Sequence, residues 1–102
     1  MLRITDDMNA VKSSGKAIVA FTANWCGPCK QVAPVLEEIA NAHGDKITIA
    51  KMNVDENPAT AARSGVTSIP TMNVYVGGEL VKQIIGAKPK VALLNELADF
   101  IN

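Results

Sequence analysis

With 102 residues the chain is the size of one domain, and its apolar share of 48% is that of a folded protein, which excludes a disordered tract. Ten Lys and Arg side chains balance ten Asp and Glu, so neither the basic face of a nucleic-acid binder nor a polybasic membrane handle is present. The longest apolar run, Ala17 to Phe21, falls far short of the roughly 20 residues a membrane-spanning helix needs.

Leu2 to Thr5 reads as a short edge strand, and Thr5-Asp6-Asp7 as the cap and acidic first turn of a helix ending near Ser13. The two acids stand where a secretory leader would build its apolar stretch, so a cytoplasmic protein is expected. Ser13-Ser14-Gly15 breaks the helix. Ala17 to Phe21, apolar throughout and bounded by breakers, is expected as a strand buried on both faces. From Gln31 to His43, Val32, Val35, Leu36, Ile39 and Ala40 recur at helical spacing, with polar residues elsewhere on the wheel. Pro34 is expected to kink that helix.

Ile47 to Val54 is a further strand with apolar residues on both faces. Asn57-Pro58 looks like an N-cap with proline at the first helical position, and that helix should end at Ser64-Gly65. Thr71 to Val76 and Leu80 to Ile85 form a hairpin across Gly77-Gly78. Pro89 opens a last helix, with Val91, Leu94, Leu97, Ala98 and Ile101 as its expected buried stripe. The order β-α-β-α-β-α-β-β-α predicts an α/β fold, one domain over residues 1–102. Parallel crossovers and a late antiparallel hairpin give a mixed central sheet with helices on both faces. Asn73 falls mid-strand in that sheet, and no neighbour in sequence offers it a partner.

Trp25-Cys26-Gly27-Pro28-Cys29-Lys30 lies between a buried strand and an amphipathic helix. Three residues apart on a first helical turn, the two sulfurs come together with little distortion. Helix N-termini carry unpaired N–H groups and a positive dipole end, which favour a thiolate at Cys26, the nucleophilic form in disulfide exchange. Cys29 points back under the turn, so it is expected to be less exposed and suited to resolving a mixed disulfide. A purely structural disulfide closing so small a loop would be a poor staple, and a cytoplasm would tend to reduce it. Two cysteines and His43 cannot supply the four ligands of a structural zinc site.

Together with Ala33-Pro34, Lys51-Met52-Asn53-Val54-Asp55, Ile69-Pro70-Thr71, Gly77-Gly78-Glu79 and Ile85-Gly86-Ala87, the cysteine motif resembles the thioredoxin family, nearly end to end and in the family's order. The resemblance implies the thioredoxin fold and a general protein-disulfide reductase. It implies recycling by thioredoxin reductase at the expense of NADPH, so the nicotinamide acts only indirectly. No bound cofactor and no metal are expected, protein disulfides are the expected substrates, and a monomer is expected. The resemblance also implies a cis bond between Ile69 and Pro70 facing the cysteines, which leaves the Ile69 backbone free to pair with an extended substrate. Trp25 then forms a flat apolar rim. Gly27, Pro28, Ile69, Pro70, Gly86 and Ala87 complete a shallow apolar patch for partner proteins.

The chain departs from the family in three places. Ala20 stands where thioredoxins commonly carry a buried aspartate beneath the cysteines, while the accompanying lysine is matched by Lys51, a candidate modulator of the cysteine pKa. Lys51 shares a strand face with Ile47 and Ile49, so its stem is expected to be partly buried. Ser68 replaces a usual glycine, and Thr22 a frequent aromatic residue. These changes bear on rate and pH dependence more than on reaction type. Lys30 reads as a solvated helix residue, His43 as a helix-end residue, and Asp55 and Glu56 as turn and helix-start acids.

Two other functions compete. The same fold serves as a binding subunit or chaperone without turnover, but the intact Cys26 and Cys29 weigh against that. Disulfide oxidases and isomerases usually place histidine before the second cysteine, where this chain has Pro28.

Overall fold

The computed structural model describes residues 2–3, Val11 and residues 15–101. Among the described residues five strands form one sheet: β1 (Leu2–Arg3), β2 (Lys16–Thr22), β3 (Thr48–Asn53), β4 (Thr71–Val76) and β5 (Glu79–Ile85). Their spatial order is β1-β3-β2-β4-β5. β1, β3 and β2 run parallel, and β4 and β5 are antiparallel to their neighbours, so the sheet is mixed as expected. The described helices are α1 (Gly27–His43), α2 (Pro58–Arg63) and α3 (Lys90–Ile101). The helix expected from Thr5 to Ser13 lies outside the described residues, Val11 excepted.

Strand alternation divides the apolar residues between two cores. Ile18 and Ala20 of β2 face Val32, Leu36 and Ile39 of α1 and Leu93, Leu97 and Ile101 of α3. Ala17, Val19 and Phe21 face the opposite side, with Val11, Ala50, Met52, Tyr75 and Ala61 of α2. The continuous apolar run is therefore a strand covered on both faces. The hairpin turn uses two residues that must turn left-handed, Gly77 at φ 60° and Gly78 at φ 84°.

Several local expectations are corrected. α1 begins at Gly27, four residues before the periodic stretch from Gln31, and Gly27-Pro28-Cys29 forms the first helical turn expected of the cysteine pair, with a proline tolerated there. Pro34 lies inside α1, on its exposed face, with helix on both sides of it. Asn57 occupies the N-cap of α2 but makes no side-chain cap; its Nδ2 donates instead to the Asn53 carbonyl at 3.0 Å. In α3 the buried stripe is Leu93, Leu97 and Ile101, with Leu94 and Phe100 packed beside it. Val91 is 72% exposed. A helix turns about 100° per residue, which carries Val91 about 120° away from Leu97.

Asn73 is fully buried and fully partnered. Its Nδ2 donates to the Ser64 carbonyl at 3.1 Å and lies 3.2 Å from the Tyr75 hydroxyl, while its Oδ1 accepts from Gln83 Nε2 at 2.9 Å. Gln83 sits directly opposite it on β5 and also donates to the Gly65 carbonyl at 3.3 Å.

Candidate active site

The cysteine motif follows β2 and opens α1, which places it at the end of the central strand. Cys26 is the N-cap of α1 in extended conformation, with its own N–H donating to the Ala23 carbonyl at 3.2 Å. Cys26 and Cys29 are joined as a disulfide with their Cα atoms 5.3 Å apart. The backbone N–H of Cys29 donates to Cys26 Sγ at 3.2 Å. A sulfur that receives a backbone N–H at a helix N-terminus holds negative charge better than one in bulk solvent.

The expected difference in burial is absent: both cysteines are 4% exposed. The bond gathers both residues into one small cluster with Ala23, against which Val54 and Ile69 pack. The Ile69–Pro70 bond is cis, and Pro70 is buried. The Pro70 carbonyl accepts from Gly86 N–H at 2.9 Å, at a point where Gly86 adopts φ 97°. That bond joins the two loop segments expected to share the patch. Thr71 Oγ1 donates to the Ser68 carbonyl at 2.6 Å and holds the loop before the proline.

Trp25 is 70% exposed, with its indole Nε1 donating to Asp55 Oδ2 at 2.7 Å. Asp55 is itself fixed from behind, because Asn53 Oδ1 accepts from the backbone N–H groups of Asp55 at 2.8 Å and Glu56 at 3.2 Å. Asp55 is thus the residue that sequence reasoning missed at this site. Thirty positions separate it from Trp25, and only the fold brings them together. Ile85, 54% exposed beside Gly86, is a second such residue. Of the other residues expected in the patch, Gly27, Pro28 and Ala87 are exposed, and Ile69 and Gly86 are half-buried.

Ala20 pairs in register with Lys51 across β2 and β3, and it is fully buried. A cavity of 340 Å³ lies beside them, with Thr22, Cys29, Lys30 and Leu36 also in its wall. Lys51 is exposed as a residue and lines this cavity together with Ala20 and Cys29. His43 ends α1, where its carbonyl accepts from the N–H groups of Lys46 and Ile47, away from the cysteines. Among the described residues, no three His, Cys, Asp or Glu side chains converge as metal ligands. No described helix is long and apolar enough to cross a membrane.

A solvent-facing apolar rim around an N-capping cysteine bonded to its third neighbour defines a dithiol–disulfide exchange protein. The Thioredoxin family model matches residues 5–99. A thioredoxin from Streptomyces clavuligerus is 58% identical over 94 residues, spanning 89% of this chain and 87% of its own. A bifunctional thioredoxin reductase/thioredoxin from Mycobacterium leprae is 50% identical over 93 residues, 91% of this chain and 20% of that protein. A mutant thioredoxin from Halobacterium salinarum NRC-1 has a similar structure, with a TM-score of 0.90 at 29% identity over 99% of this chain and 90% of that one. The chain belongs to the thioredoxin family and has the thioredoxin fold. It is a thiol-disulfide oxidoreductase, a protein-disulfide reductase whose redox-active group is the Cys26–Cys29 pair.

Proposed function

We propose that Cys26 is the attacking thiol of this reductase and Cys29 the resolving one. The observation that carries the assignment is the Cys29 N–H aimed at Cys26 Sγ from the first turn of α1. That donor stabilises a thiolate on Cys26. The Cys26 thiolate attacks one sulfur of a substrate disulfide, and the other substrate sulfur leaves as a thiolate and takes up a proton. Cys29 then loses its proton and attacks Cys26 Sγ. The Cys26–substrate bond breaks, the second substrate thiolate departs, and the protein disulfide forms. Two electrons pass from the protein dithiol to the substrate.

Trp25, Gly27, Pro28, Ile69, Pro70, Gly86 and Ala87 form the docking patch for the substrate protein, with Ile85 extending it. Lys51, in the same cavity wall as Cys29, lends positive charge when Cys29 deprotonates. Thioredoxin reductase regenerates the dithiol from NADPH; the Mycobacterium leprae relative, named for both activities, supports this pairing. The protein acts as a single-domain monomer in the cytoplasm, on substrates of general rather than narrow identity.

The test incubates the reduced chain with a protein disulfide and couples it to NADPH and thioredoxin reductase. Cys26→Ser is expected to abolish attack. Cys29→Ser is expected to attack once and accumulate as a mixed disulfide on Cys26. A substrate-protein adduct trapped on Cys29 of the Cys26→Ser variant reverses the assignment. Wild type that never turns over with the cognate reductase is instead a binding subunit.

A further inference from the structure

The cavity beside Ala20 reaches one cysteine of the pair: Cys29 belongs to its wall and Cys26 does not. Both charged side chains in that wall, Lys30 and Lys51, are cationic and exposed. A groove of 220 Å³ continues from Thr22, Asn24 and Lys51 to Asn53 and Glu56, whose carboxylate is the one acid along the two linings. We propose that this cavity is a small-molecule entrance to the disulfide, through which a low-molecular-weight anionic thiol attacks Cys29. The proposal rests on the reading above that Cys26 is the better stabilised thiolate.

Size, charge and leaving-group chemistry agree. A water molecule takes about 30 Å³ of liquid volume, so 340 Å³ holds a thiol of a few heavy atoms but no folded segment of a protein. Two ammonium groups at the wall raise the local concentration of an anion. Attack on Cys29 expels Cys26, the sulfur that already receives the Cys29 N–H, and a thiolate of lower pKa leaves faster. Attack on Cys26 forfeits that hydrogen bond to the departing sulfur.

The exchange balances with the small thiol as reductant. Its thiolate forms a bond to Cys29 Sγ as the Cys26–Cys29 bond breaks, and Cys26 leaves as a thiolate. A second small thiolate attacks the sulfur bound to Cys29. A small symmetrical disulfide departs, and Cys29 leaves as a thiolate that takes a proton from water. Two small thiols lose two electrons and the protein disulfide gains them, so the dithiol is recharged without a reductase. Protein substrates use the apolar patch around Trp25, and small anionic thiols use the cavity lined by Ala20, Cys29 and Lys51.

The test mixes the oxidised full-length chain with 2-mercaptoethanesulfonate or with cysteamine, two short thiols of opposite charge. Samples are quenched by acid and alkylation during the first turnover, and fragmentation mass spectrometry locates the adduct. The sulfonate is expected on Cys29, with Cys26 alkylated. Per unit of thiolate, the sulfonate should react about tenfold faster than cysteamine at low salt. That preference should collapse near 1 M salt, where the screening length falls to about 3 Å, and in the Lys30→Gln/Lys51→Gln double variant. An adduct on Cys26, or equal rates for the two thiols at low salt, overturns the entrance while leaving protein-disulfide reduction intact. A substrate-protein adduct trapped on Cys29 of the Cys26→Ser variant would instead overturn the cysteine roles on which the entrance rests.

Discussion

Asn73 ties three elements together with one side chain. Its amide reaches the carbonyl that follows α2, the Tyr75 hydroxyl on its own strand and the Gln83 amide on β5. Asn73 and Tyr75 are buried and Ser64 is half-buried, so the Tyr75 hydroxyl and the Ser64 carbonyl lose a partner in a packed environment when the amide is removed, while the exposed Gln83 can turn to water. Asn73→Ala is expected to cost about 1–3 kcal/mol, the penalty for leaving buried polar groups unpaired. Urea titration should show a lower midpoint with an unchanged slope. A midpoint equal to wild type would mean that water enters and satisfies the site. Trp25 follows the same logic in the open: its indole is held by Asp55, so the apolar rim keeps one orientation although the ring is mostly exposed.

Between elements, β5 and α3 are joined by Lys82, whose Nζ lies 2.7 Å from Glu96 Oε2 and donates to the Glu96 carbonyl at 2.9 Å. The hydrogen bond from Lys82, and then its charge, hold the Glu96 carboxyl below its ordinary value. A carboxylate whose pKa is lowered by folding adds stability above its unfolded value, and that stability is lost as pH falls through the folded value. Wild type should therefore melt slightly higher than Glu96→Gln near pH 7, with the gap closing as the pH falls below the ordinary carboxylate range. Thermal unfolding of both proteins across that range is the check, and a gap that stays constant in acid would show that the carboxylate's charge contributes nothing. Neither this tether nor the burial of Leu93 in place of Val91 is legible in the chain alone. Both depend on how α3 is rotated against β5, and an apolar arc that includes Val91, Leu93 and Leu94 admits more than one rotation.

At the scale of the whole molecule, the strands and their order are legible because each carries its own signal. The unbroken apolar run of β2 requires cover on both faces, and Gly77-Gly78 marks the hairpin. The cysteine motif is legible for a similar reason, since its chemistry is contiguous in sequence. Asp55 beside Trp25, the equal burial of the two cysteines and the cavity that Lys51 lines are not, because each arises from residues that only the sheet register brings together. β2 stands at the centre of that register, hydrogen-bonded to β3 on one side and β4 on the other, with an apolar core against each face. Amide exchange should rank the molecule accordingly: Ile18 to Phe21 should exchange only through global unfolding, and the edge strand β5 should exchange sooner. Amides of β5 that outlast those of β2 would contradict this ranking. On that ranking, the disulfide hangs from the end of the strand that opens last. A partner bonded to Cys26 is therefore anchored to the slowest-exchanging part of the chain, and the covalent intermediate can persist or resolve without waiting on any local unfolding of the protein that carries it.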